Sequence, residues 1–132
     1  FAAAFSEAEM AEIAALADHV TLNSLAQWRL FRQVLAAAGR ELSCGLRINP
    51  EHSEGTTALY DPCAPGSRLG VRSETLQTER PDGITGLHAH TLCEQDAAPF
   101  RRTLAAIEAR FGDLLPRMRW MNFGGGPPFM VP

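Results

Sequence analysis

Lysine is missing from this chain: all twelve of its basic residues are arginines. Chemistry that runs through a lysine amine must therefore draw that amine from elsewhere. Cysteine is scarce, with Cys44, Cys63 and Cys93 at irregular spacing. An odd, uneven set argues against a disulfide framework and for a reducing cytoplasm. No apolar run approaches the roughly 20 residues that cross a bilayer. The opening Phe1-Ala2-Ala3-Ala4-Phe5 is too short for a signal peptide and lacks its basic flank. A net charge of −3 without a basic stripe gives no footprint for nucleic acid. Low-complexity segments, internal repeats and linkers are absent too. A length of 132 residues and a hydrophobic share of 45% fit one domain, residues 1–132.

Short apolar runs alternate with amphipathic stretches. Ser6 with Glu9 forms a capping-box pattern that opens a helix of about three turns, carrying Ala8, Ala11, Ile13, Ala14 and Leu16. A β-type run follows at 19–23. Ser24 then caps a second helix with Leu25, Trp28, Leu30, Phe31, Val34 and Leu35, which stops at Gly39. Residues 42–48 read as a second strand, closed by Asn49-Pro50. From 51 to 80 no period is evident, and a loop of that length in a compact domain is more often functional than idle. A third strand is expected at 83–90 and a helix at 97–111, stopped by Gly112. A fourth strand is expected at 119–123. This alternation predicts parallel βαβ units. Four strands do not close a barrel of eight, so the chain is expected to be a segment of a larger α/β fold. Its open edges predict weak folding or self-association.

In parallel α/β folds the ligand sits at the C-terminal strand ends. The unusual residues fall there: Asn23-Ser24, Arg47-Ile48-Asn49-Pro50, His88 through Glu94, and Asn122-Phe123-Gly124-Gly125-Gly126. A glycine triplet lets backbone approach an anion such as phosphate, or simply makes a flexible turn before Pro127-Pro128. Alternation aims His88 and His90 at one face. His90 there can stack on a cofactor ring, act as an acid, or be a hydrogen-bonded core histidine. Arg47 and Arg68 can neutralise a phosphate or carboxylate, or pair at the surface. Glu94 and Gln95 can meet a cationic substrate or only begin the next helix. His88, His90 and Cys93, with Cys63 or Glu94, also raise a zinc alternative, although the spacing fits no closed structural zinc pattern.

Four strings taken together resemble the carboxynorspermidine (carboxyspermidine) decarboxylase family. They are Gly45-Leu46-Arg47-Ile48-Asn49-Pro50-Glu51-His52-Ser53-Glu54, Tyr60-Asp61-Pro62-Cys63-Ala64-Pro65-Gly66-Ser67-Arg68-Leu69-Gly70, Gly86-Leu87-His88-Ala89-His90-Thr91-Leu92-Cys93-Glu94-Gln95, and Asn122-Phe123-Gly124-Gly125-Gly126. The likeness runs in order over nearly the whole chain. It implies part of a (β/α)8 TIM barrel of the alanine-racemase-like type, about four βα units, binding pyridoxal 5′-phosphate. By resemblance His90 stacks on the cofactor ring and is the catalytic residue of this segment. Gly124, Gly125 and Gly126 hold the phosphate, Arg47 supports the pocket, and Cys93 lies near the phosphate with Arg68 nearby; Glu94 and Gln95 are expected to face the substrate from their place at the strand end.

The implied reaction is loss of carbon dioxide from carboxynorspermidine or carboxyspermidine in polyamine synthesis. The whole enzyme is expected to be a cytoplasmic homodimer, with no membrane or nucleic-acid partner. The family's Schiff-base lysine is expected before Phe1, and its acidic cofactor partner and β domain after Pro132, so this chain alone is expected to be inactive. Two departures touch the pocket: Ala89 where the family usually has an aromatic residue, and Pro127-Pro128 where it usually has two histidines. The alternative is a non-catalytic remnant of the barrel that binds phosphate or another chain.

Overall fold

The computed structural model describes residues 1–55, 57–93 and 95–125. Four parallel strands form one sheet in the order β1 (His19–Leu22), β2 (Ser43–Arg47), β3 (Ile84–His88) and β4 (Trp120–Asn122). The order in space follows the order in sequence, with no reversal. That is the arrangement of a barrel wall rather than of a doubly wound sheet, which needs a switch point. The expected parallel α/β segment is therefore the observed one.

Helix α1 (Glu7–Leu16) opens on the anticipated capping box: Ser6 Oγ accepts from Glu9 N, and the Glu9 carboxylate accepts from Ser6 N at 2.7 Å. It buries Met10 and Ala14 and packs Ile13 against the core, so of the face read from sequence Ile13 and Ala14 point inward while Leu16 is exposed. Ser24 caps α2 (Leu25–Ala36), whose Phe31 and Leu35 face inward. That helix ends at Ala36, not at Gly39, which takes a positive φ three residues later. The stretch 51–80 is not structureless. It holds a short 3-10 turn (Ala58–Tyr60) and a six-residue helix, α3 (Ser73–Thr78), with Leu76 as its one buried residue. Helix α4 (Ala97–Phe111) matches the expected span, with Asp96 as N-cap.

The core lies on one side of the sheet. Val20, Leu22, Cys44, Leu46, Ile48 and Leu87 pack beneath Met10, Phe31, Leu35, Leu76, Ile107 and Phe111 in one cluster. On the opposite side, register lines up Thr21, Gly45, Gly86 and Trp120 in one row, and Arg47, His88 and Asn122 in the next. The Trp120 indole lies across Gly45 and Gly86, where a Cβ on either glycine would collide with the ring. Its Nε1 donates to Ser43 Oγ at 2.8 Å, and His19 meets it edge-on. This bulky layer fills the N-terminal half of the inner face and leaves the polar side chains at the other end.

Candidate functional site

Strand β3 ends at His88, two residues earlier than expected, yet the chain stays extended beyond it. Ala89 N donates to Asn122 O at 2.9 Å and keeps this segment beside β4. Alternation therefore carries through to His90, and the two imidazoles meet edge-on with centroids 5.6 Å apart. His90 rests on the glycine turn after β4. Gly124 has φ +67, its N–H is held by Asn122 Oδ1 at 2.7 Å, and a Cβ there would lie 2.6 Å from His90 Cγ. A Cβ on Gly125 would strike the Leu92 carbonyl. Only glycine permits this approach of backbone to ring.

Arg47 comes from the adjacent strand and is 6% exposed. Its Nη2 donates to the His90 carbonyl at 3.3 Å, while its Nε has no partner. The Phe1 ring lies 5.1 Å from the guanidinium carbon and 5.0 Å from the centre of the His88 ring. Burial lowers the Arg47 pKa, opposed by nearby Cys63. His88 is more deeply enclosed, and neither ring nitrogen has a hydrogen-bond partner; the Asn122 side chain lies beside it without closing a bond. Burial brings its pKa down to about 4, so the imidazole is neutral at pH 7. His90 is also shifted down, by burial first and then by the Arg47 charge. Thr91 Oγ1 and Gln95 Oε1 are buried without partners as well.

These groups surround a cleft of about 680 Å³, lined by Arg47, Tyr60, His90, Thr91, Cys93 and Gln95, with Ser53 and Gly55 along one side. Its described lining carries one cation, Arg47, and no carboxylate. A buried polar atom left unpaired costs about 1–3 kcal/mol. Arg47 Nε and Thr91 Oγ1 can donate to an anionic guest, whereas Gln95 Oε1 accepts and calls for an N–H or O–H on that guest.

The structure brings together Arg47, His90, Cys93, Gln95, Gly124 and Gly125 at one rim. Glu94, Gly126, Pro127 and Pro128 lie outside the described residues. Arg68 serves the fold through its carbonyl, which accepts from Asn23 Nδ2 at 2.8 Å. Asn23 Oδ1 in turn accepts from Gly70 N, so this residue pins a loop and does not line the cleft. Among the described residues no group of three His, Cys, Asp or Glu side chains could hold a metal ion, which leaves the zinc alternative without a site. All three cysteines are free thiols. Sequence reading put no weight on Thr91, Tyr60 or Ser53. Their signal was only that they sit inside the long family-like strings.

No family model matches the chain. It is 44% identical over 126 residues to a carboxyaminopropylagmatine decarboxylase of Synechocystis, covering 96% of this chain and 32% of that protein. It is 40% identical over 126 residues to a carboxynorspermidine/carboxyspermidine decarboxylase of Campylobacter jejuni, with the same coverage. The chain is homologous to one segment of these decarboxylases. A crystal structure of carboxynorspermidine decarboxylase from Campylobacter jejuni, complexed with norspermidine, superposes with a TM-score of 0.77 at 37% identity, over 94% of this chain and 30% of that one. The segment thus spans about a third of the length of the decarboxylases it matches, and the fold read from its motifs is that of the decarboxylase barrel wall.

Proposed function

We propose that this chain forms the cofactor-facing wall of a pyridoxal-phosphate-dependent decarboxylase acting on a carboxylated polyamine. The observation that carries the reading is the His90 ring seated on the Gly124–Gly125 backbone at the strand tips. The residues present fit such a group: a flat imidazole to lie against its ring, a close-approach glycine turn for its phosphate, and a buried arginine with an unused N–H. Bound there, the cofactor supplies the electron sink that lets a carboxylate leave as carbon dioxide.

The chain's own residues bind and orient. Asn122 locks the glycine turn, and Arg47 holds the His90 carbonyl and offers positive charge. His88 keeps a neutral floor beneath the two. The two relatives carry different polyamine names, so the reading commits to a carboxylated polyamine as the class. By the same resemblance the whole protein is read as a cytoplasmic homodimer. No described helix is long and apolar enough to cross a membrane. With no lysine side chain, this segment supplies no ε-amine for a Schiff base with the cofactor.

Calorimetric titration tests the reading. Pyridoxal 5′-phosphate should bind saturably, and pyridoxal, which lacks the phosphate, about tenfold or more weaker. Gly125→Val should abolish the difference between the two ligands. Equal affinity for both ligands, or none for either, would overturn the assignment. The isolated chain should release no carbon dioxide from carboxynorspermidine above a cofactor-only control.

A further inference from the structure

A bidentate ion pair joins the loop after β2 to α4, the two elements that flank the cleft. Arg102, in the second turn of α4, grips Glu54 with both arms: Nε to Oε1 at 2.7 Å and Nη2 to Oε2 at 2.6 Å. His52 Nε2 lies 2.9 Å from the same Glu54 Oε1. Glu54 sits between Ser53 and Gly55, which line the cleft on the β2 side. Arg102 follows closely on Thr91, Cys93 and Gln95, which line it on the β3 side. Helix α4 is a rigid body whose N-cap, Asp96, directly follows Gln95, so moving Arg102 moves that wall.

Exposed ion pairs ordinarily contribute little to stability. A bidentate arginine–carboxylate pair does something else: it fixes an angle and a separation. The Glu54 carboxyl is held down to about 2, chiefly by its hydrogen bonds to Arg102, so the pair stays ionised at working pH. Glu51 adds a longer tie from the same loop to α4, to Arg110 at 4.0 Å, and a tie within its own stretch, to Arg72 at 3.4 Å.

We propose that Glu54, acting through Arg102, is a positioning residue that sets the spacing between the two loop walls of the cleft. The inference rests on the cofactor reading for its consequence, though not for its geometry. It predicts that loosening the pair weakens ligand binding without weakening the fold.

Two measurements on the chain and its E54Q, R102Q and E54Q/R102Q variants decide it. In the first, each single variant should raise the dissociation constant for pyridoxal 5′-phosphate about tenfold. The double variant should be no worse than either single one, since both break the same link. Thermal midpoints should stay close to that of the unaltered chain. In the second, hydrogen exchange followed by mass spectrometry should show R102Q speeding amide exchange at residues 53–55, across the cleft from the substitution. Additive binding losses, unaltered binding, or losses that track global unfolding would overturn the proposal. If the unaltered chain does not bind pyridoxal 5′-phosphate, the cofactor reading falls. The clamp is then judged by exchange alone, and unchanged protection at 53–55 in R102Q overturns it.

Discussion

On the helix side of the sheet, Leu22, Leu46, Ile48 and Leu87 are sealed beneath α1, α2 and α4. On the other side the same strands carry Arg47, His88 and Asn122, and the buried Arg47 Nε and both His88 ring nitrogens bond to nothing in the chain. One surface is complete in itself, and its side chains are explained by packing. The other is polar, enclosed and unsatisfied, which is costly for the fold and useful for recognition. The difference teaches where to look for chemistry in a segment of this kind: on the face whose polar groups are not used up by the protein.

Substitutions on the two faces should therefore separate stability from binding. Phe111→Ala empties fully buried volume on the helix side and should cost about 3–5 kcal/mol in a urea melt, with cofactor affinity per folded molecule unchanged. Acid should attack the other face. Burial brings the His88 pKa down to about 4 from the ordinary 6.5, so the unfolded chain takes up the proton first. Its contribution is complete above about pH 6.5 and lost as pH falls through about 4, a loss on the order of 3 kcal/mol at most. Melts across that range should show the decline. Gly86→Val would push a side chain into the Trp120 indole and should cost about 1–3 kcal/mol by the same assay. His88→Phe should do the reverse. It removes two unpaired nitrogens, raises stability by about 1 kcal/mol, abolishes the acid-sensitive step, and weakens cofactor binding. A His88→Phe variant that is less stable at pH 7 would erase the contrast between the faces.

Much of this was legible before any coordinates. Ser6, Ser24 and Gly112 mark helix ends where the structure has them, because caps are local chemistry. The tip residues Arg47, His90 and Gly124 could be grouped because parallel strands all point their ends the same way. Helix α3 was not readable: six residues with a single buried leucine give no period. The return of the long loop was hidden as well. Val71 bridges to Ile48, and Gly70 presses against the Ile48 carbonyl with φ +82, contacts that join distant parts of the chain. The sequence places Arg47 at a strand tip but does not say how deeply it is buried. Its neighbours on the inner face decide that, and they come from other strands.

The interlock of Trp120 with Gly45 and Gly86 has an evolutionary consequence. Three strands share a single parcel of volume there, so a bulky residue can migrate from one strand to another only if the present owner shrinks. Positions 45, 86 and 120 should accordingly covary, and a homologue with a small residue at 120 should have gained bulk at one of the other two.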